Sequence, residues 1–398
     1  MISIELPQFK KIENMTKDIP NCISFAQGTL RTGGVPEEIR RYAREILLTD
    51  KADYYTHTLG IKELREKLAL ILSRDNNTKI DFSQIVVTHG AMGGIITICL
   101  SLVDQGDDII LPEPTYPVYK DIVKFCRANA VFVPAFFEKQ KGEKRYWEFD
   151  CDRVINSITP KTKMIILPNP SNPTGTCLTS QDIKSLVDTC NNRGIYLLSD
   201  EVYENYVFED SFNSVTRYIP ESEFIIRAGS FSKNFAMSGW RVGYIVSSLK
   251  YTDVFSAVQS GTVCCPNAIA QYAALYALDH KELMNEQIQK VKIGRELSYR
   301  LLSPLEKADV LSLSQGHAGF YLFPKTCEKS SKELAFDLLN KEHVAISPGI
   351  DFGPSFGSYF RLCFAREPHV VQEGCKRIVN YFQNRYNISK DIFGQVNV

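Results

Sequence analysis

Hydrophobic positions in the middle of the chain fall into short unbroken runs, and the stretches between them repeat apolar residues at helical spacing. Runs at 85–88, 108–111, 164–167, 195–199, 224–228 and 244–246 read as strands. Runs without polar alternation imply burial on both faces, as in a parallel sheet covered by helices. Segments 91–102, 115–126 and 180–191 read as helices, the last capped by Thr179 or Ser180. This alternation predicts an α/β domain with a mostly parallel central sheet flanked by helices. Residues 1–48 and 291–398 have longer helical patterns and fewer buried strands, so both chain ends are expected to form a smaller α+β domain beside a large domain at 49–290. No repeat of fixed period or low-complexity linker interrupts the pattern.

Composition narrows the choice of partner. The 398 residues, 44% hydrophobic and 23% charged, are enough for two cores. Lysine plus arginine equals aspartate plus glutamate at 46 each, so no global field favours nucleic acid or an anionic membrane, and a small molecule is the expected partner. The 11 cysteines are scattered, with only Cys264 and Cys265 adjacent, and no spacing suits a metal. The first residues alternate polar and apolar types rather than forming a signal peptide, and no apolar run approaches a membrane span. A cytoplasmic location is the resulting expectation.

Ligands of parallel α/β sheets sit beyond the carboxyl ends of the strands, so the residues after each run carry the candidate chemistry. After 85–88 comes His89-Gly90-Ala91-Met92-Gly93-Gly94, a glycine turn opening a helix whose free N–H groups suit a phosphate. The next run leads to Tyr116, an aromatic face, and the third to the rigid turn Asn169-Pro170-Ser171-Asn172-Pro173-Thr174-Gly175. Run 195–199 delivers Asp200, Glu201 and Tyr203; run 224–228 delivers Gly229-Ser230-Phe231-Ser232-Lys233, with Arg241 eight residues on. These groups suit a phosphorylated pyridine aldehyde. Lys233 supplies an amine for a Schiff base, and Asp200 keeps the ring nitrogen protonated. Asn172 and Tyr203 hydrogen-bond the ring phenolate and Tyr116 stacks on the ring, while Ser230, Ser232, Arg241 and the amides after Gly90 hold the phosphate. Singly, each has an ordinary structural reading as a helix cap, surface loop or packing glycine. Five consecutive strand ends with complementary groups outweigh it.

The blocks 169–175 (NPSNPTG), 199–203 (SDEVY) and 230–244 (SFSKNFAMSGWRVGY) resemble the signatures of class I/II, fold type I pyridoxal-phosphate aminotransferases. The likeness extends to Tyr55 through Gly60, to 319–323, and to 348–353 followed by Phe360-Arg361-Leu362. It implies that Lys233 carries pyridoxal 5'-phosphate and moves the proton between the substrate Cα and cofactor C4'. It also implies that Arg361 clamps the substrate α-carboxylate beside Gly28 and Asn172. Tyr55 then reaches the phosphate of the neighbouring subunit of a homodimer, and an amino group passes from an L-amino acid to a 2-oxo acid by a ping-pong route.

Some positions depart from the pattern. Met92 stands where similar bacterial aspartate aminotransferases carry a lysine for the distal carboxylate, and the loop from Gly28 to Pro36 is one residue longer than usual. Within that loop, Arg31 is expected to face solvent. Thr262, in segment 261–266, is the expected donor to the phosphate of the neighbouring subunit, and His57 and His317 lie near the expected site mouth. The altered loop leaves open a lyase, oxidase or β/γ-replacement reaction on the same scaffold. A noncatalytic regulator is disfavoured, because no DNA-binding module accompanies the domain and Lys233, Asp200 and Arg361 are all present.

Overall fold

The computed structural model describes residues 5–209 and 211–389. Seven strands form the central sheet: β1 (Ile85–Thr88), β2 (Asp108–Glu113), β3 (Asn129–Pro134), β4 (Thr162–Pro168), β5 (Tyr196–Asp200), β6 (Ile225–Ser230) and β7 (Gly243–Val246). Their spatial order is β1-β7-β6-β5-β4-β2-β3. All run parallel except β7, which is antiparallel to both β1 and β6. Alternate residues of each strand enter different apolar cores. Val86, Ile109, Leu111, Met164 and Ile166 pack on one face of the sheet, and Ile85, Val87, Ile110, Ile165 and Leu167 on the other. This two-sided burial explains the unbroken apolar runs.

Six of the seven strands were visible in the sequence; β3 was not. Its residues Asn129-Ala-Val-Phe-Val-Pro134 lie at the sheet edge and are mostly partly buried or exposed. The hairpin Phe136–Lys141 with Lys144–Phe149 also escaped the reading, since its residues alternate charge with aromatic character and sit outside the main sheet. The expected helix at 115–126 shortens to Tyr119–Phe125, because Pro114 and Pro117 hold the preceding residues in an irregular turn. Helix Ser180–Arg193 starts at the Thr179 cap, whose hydroxyl accepts from Asp182 N while the Asp182 carboxylate accepts from Thr179 N; it ends on Gly194 at φ 67°.

The chain ends meet. Ile23–Ser24 pairs in parallel with Val344–Ala345, and helix Asn285–Lys307 lies along helix Pro368–Tyr386. Strand Phe360–Cys363 runs antiparallel to Tyr321–Leu322 and to Ser347–Pro348. Among the described residues no helix is long and apolar enough to cross a membrane.

Helix Asn285–Lys307 approaches the backbone at Gly294, where a Cβ would lie 2.5 Å from the Phe364 carbonyl oxygen. Backbone cannot swing aside as a side chain can, so Gly294→Val is expected to lower stability by about 1–3 kcal/mol, the scale of overpacking. Urea unfolding measures it, and an unchanged midpoint would mean the helix lifts away at no cost.

Candidate active site

The carboxyl ends of β1, β2, β4, β5 and β6 converge on a cavity of about 440 Å³. Lys233 stands at its floor on the short helix Phe231–Asn234, which follows β6 directly. The Ser230 hydroxyl caps that helix by accepting from Ser232 N at 3.0 Å. The Lys233 ammonium donates to the Gly28 carbonyl. Burial, reinforced by Arg361 and Arg241, pulls the amine down to about 8, so a substantial neutral fraction exists near physiological pH.

Asp200 ends β5 and is 6% exposed. Its Oδ2 accepts from the Tyr119 hydroxyl at 2.6 Å. Its Oδ1 is buried without a partner. Burial pushes the carboxyl up to about 6, against the opposing pull of the Tyr119 hydroxyl, Lys233 and the Val202 backbone N–H. An orphaned carboxylate oxygen facing a cavity suits a cationic N–H from a ligand ring. Tyr203, three residues on, hydrogen-bonds Tyr321 between hydroxyls at 2.6 Å, and burial holds it well above the usual phenol range.

One wall is cationic. Arg241 follows a 3₁₀ turn and takes φ 57°; its Nη1 donates to Ser238 O at 2.8 Å and its Nη2 to His89 O at 3.3 Å. Gly90, at φ 71°, backs this guanidinium, since a Cβ there would come within 2.6 Å of Nη2. Gly243 lets β7 close on the same turn: its Cβ would lie 2.7 Å from Ala91 N. The Ala91 and Met92 amides thus begin helix Gly90–Leu102 at the cavity wall beside Arg241, where Ser230 and Ser232 also line the space. That combination suits a phosphate dianion.

Arg361 also lines the cavity and is 1% exposed. Its Nη1 donates to Asn172 Oδ1 at 3.0 Å, and its Nη2 to Ala26 O at 2.6 Å and Ser347 Oγ at 3.3 Å. Its Nε is buried without a partner. Aromatic rings surround it, with the Tyr321 centroid at 4.4 Å, Phe352 at 4.8 Å and Phe9 at 5.8 Å. Tyr116 lines the cavity near Tyr119, their ring centroids 5.5 Å apart.

Other expected residues lie elsewhere. Tyr55 is 86% exposed and outside the cavity of its own chain. Arg31 is half-exposed, as expected of a residue facing solvent, and pairs with Glu13 at 3.1 Å. His57 accepts from Leu59 N, His317 packs against Tyr146, and the Thr262 hydroxyl donates to the preceding helical turn; none of the three lines the cavity. Sequence reasoning missed Tyr119, Tyr321, Phe9 and Lys10. Tyr321 is the residue that makes Gly28 a glycine, because a Cβ at 28 would strike its hydroxyl. Its position beside Gly319 was the available signal.

Beneath the site, Arg227 of β6 is fully buried and holds Glu201 at 3.1 Å and Glu204 at 2.6 Å. Glu201 follows Asp200 and Glu204 follows Tyr203, so one guanidinium ties the end of β5 to the strand that carries Ser230 and Lys233.

The fold is that of an α/β enzyme of fold type I, with a buried amine, a buried carboxylate and a cationic wall at one sheet edge. The family profile of aminotransferase class I and II matches residues 20–378, and the chain belongs to that family, whose members depend on pyridoxal phosphate. The chain is 32% identical to an aspartate aminotransferase of Sulfolobus acidocaldarius over 82% of each chain. It is also 32% identical to a probable aspartate/prephenate aminotransferase of Aquifex aeolicus, over 81% of this chain and 82% of the relative. Among solved structures, an aspartate aminotransferase from Thermus thermophilus with maleate superimposes with a TM-score of 0.84 at 26% identity, covering 95% of this chain and 97% of that one. The chain is accordingly an aminotransferase.

Two measurements follow from the buried charges. Arg227→Met strands the fully buried Glu201 carboxylate, so it is expected to cost about 3–5 kcal/mol of stability. Adding Glu201→Gln should recover part of that loss, and strictly additive urea-unfolding energies would show that the pair is not coupled. Asp200 is expected to show the opposite pH trend to a paired carboxylate. Because burial raises its folded pKa to about 6, its favourable term is complete below the unfolded value near 4 and is lost as pH rises through 6. The cofactor-free protein should therefore lose roughly 3 kcal/mol over that interval relative to Asp200→Asn. Parallel stability-pH curves for the two proteins would rule out an unpaired buried Asp200.

Proposed function

We propose that this cavity binds pyridoxal 5'-phosphate through Lys233 and transfers an amino group from an L-amino acid to a 2-oxo acid by a ping-pong route. The observation that carries the reading is the buried, unpartnered Asp200 Oδ1 in the same cavity as an amine held near 8. When bound, the cofactor supplies an aldehyde that captures amines and a ring that accepts electrons.

In this reading the chain's own groups divide the work. Asp200 faces the ring nitrogen and keeps it protonated, and Tyr119 orients that carboxylate through its 2.6 Å hydrogen bond. Asn172 and Tyr203 hold the ring oxygen, and Tyr116 lies against the ring face. Ser230, Ser232, Arg241 and the Ala91 and Met92 amides, backed by Gly90, bind the phosphate. Arg361, with Gly28 and Asn172 beside it, orients the substrate by its α-carboxylate. Lys233 removes the proton from the substrate Cα and returns it to the cofactor side, a task suited to an amine with an accessible neutral form. Residues 49–290 act as the cofactor-binding domain, and 1–48 with 291–398 as the small domain that contributes Gly28 and Arg361. In a homodimer the exposed Tyr55 reaches the neighbouring subunit's phosphate site.

Borohydride reduction of the holoenzyme and peptide mapping should place the pyridoxyl group on Lys233; a label on another lysine defeats the assignment. Added amino acids should convert the bound cofactor to its pyridoxamine form, with release of a 2-oxo acid. Sustained turnover of an amino acid without any 2-oxo acceptor would point to a lyase or oxidase instead. Arg361→Lys keeps the charge but loses the planar fork, so kcat/KM for amino acids should fall by about 100-fold or more while cofactor content stays normal.

A further inference from the structure

We infer that Arg366 is a positioning residue for the reaction: its guanidinium holds the backbone of residues 24–29 in place, so that the Ala26 and Gly28 carbonyls meet Arg361 and Lys233. The inference rests on the reading of the cavity given above. Arg366 is 3% exposed and does not line the cavity. A buried guanidinium needs acceptors for its N–H groups, and a carboxylate is the usual one. Here the acceptors are backbone carbonyls. Nε donates to Ser24 O at 2.8 Å and Nη2 to Gln27 O at 2.8 Å. Nη1 donates to Thr29 O at 2.5 Å and to Ala365 O at 3.0 Å, with the Cys363 sulfur 3.4 Å away.

Beyond Ser24 the chain forms neither helix nor strand as far as Leu30, so no regular ladder satisfies its carbonyls. Each carbonyl from 24 to 29 nevertheless has a donor, and the donors alternate. Ser24, Gln27 and Thr29 face Arg366. Phe25 O accepts from Cys363 N at 3.0 Å. Ala26 O accepts from Arg361 Nη2 at 2.6 Å and from the Ser347 hydroxyl at 2.7 Å. Gly28 O accepts from the Lys233 ammonium. The two cavity cations therefore reach carbonyls that lie between those gripped by Arg366. In the reading above Lys233 is committed to the cofactor, and its hold on Gly28 is then lost. Arg366 still ties residues 27 and 29, on either side of Gly28, to the body of the chain, and Gln27, Gly28 and Thr29 all line the cavity. Its planar fork lets one cation span three carbonyls of the segment, whereas a lysine ammonium is a single point on a flexible stem. Without that grip the Ala26 carbonyl drifts and the Arg361 guanidinium loses one of the bonds that fix its plane.

Hydrogen–deuterium exchange of the full-length protein and steady-state kinetics test this in Arg366→Lys and Arg366→Met. The kinetic probe is the common L-amino acid that most rapidly converts wild-type holoenzyme to its pyridoxamine form. Exchange in peptides covering 24–30 should rise by about tenfold or more in both variants, while peptides covering Tyr196–Asp200 keep wild-type rates. KM for the probe should rise by about tenfold, the scale of one hydrogen bond to a charged group, with kcat nearly unchanged, because a misplaced clamp weakens binding. In an Arg361→Lys background the same change at 366 should add less than about twofold, since no fork remains to be placed. Wild-type exchange over 24–30 in a folded variant overturns the inference. So does a full, additive effect on top of Arg361→Lys, and so does the failure of both variants to fold, which would make Arg366 a stability residue alone. Failure of the transamination reading looks different: no amino acid is converted even by wild-type protein, while the exchange rates still report on residues 24–30.

Discussion

The guanidinium of Arg361 is the point on which the architecture of the site turns. It donates to Asn172 after β4, to the Ala26 carbonyl near the amino terminus, and to Ser347 on the neighbouring strand. Three segments remote in sequence are thereby fixed to one buried cation. An isolated charge in such a place would be prohibitively costly, and Arg361 is tolerated because hydrogen bonds and three aromatic faces replace much of its hydration. The replacement is incomplete, since Nε retains no partner. A planar donor left partly unsatisfied at a cavity wall is prepared for an anion.

The same economy governs the floor. Arg227 binds Glu201 and Glu204 below the sheet edge, and those two residues sit immediately after Asp200 and Tyr203. The buried ion group therefore fixes the backbone that presents the Asp200 carboxylate, whose Oδ1 is left without a partner. Compensated charge below supports uncompensated charge above. Burial acts oppositely on the two reactive groups, raising Asp200 and lowering Lys233, because in each case it disfavours the ionised form.

How much of this was legible depends on where the information lies in the chain. Strand ends were readable because a run of buried residues ends where its functional residue begins, so Asp200, Ser230 and Lys233 could be placed by adjacency alone. Tyr119 and Tyr321 were not readable in that way. Both act through hydroxyls that meet their partners only after the sheet assembles, Tyr119 across 81 residues to Asp200 and Tyr321 across 118 residues to Tyr203. Edge strand β3 was missed although residues 130–133 form an unbroken apolar run; unlike the other edge strand, β1, it is only partly buried. Arg361 was identified through family resemblance, since nothing in its own neighbourhood, Phe360-Arg361-Leu362, announces a buried cation.

This difference in range separates two kinds of specificity. Groups assigned to the cofactor come mostly from successive strand ends of one sheet, held by short connections and by the Arg227 ion group, so they form a rigid unit. Groups assigned to the substrate come largely from the two chain ends, Gly28 from one and Arg361 from the other, with Asn172 from the end of β4. Long-range hydrogen bonds join these chain-end segments to the strand-end residues: Arg361 to Asn172, Tyr321 to Tyr203, and Lys233 to the Gly28 carbonyl. The residues assigned to the cofactor are accordingly readable from strand ends, whereas Arg361, assigned to the substrate, is readable only through the family resemblance.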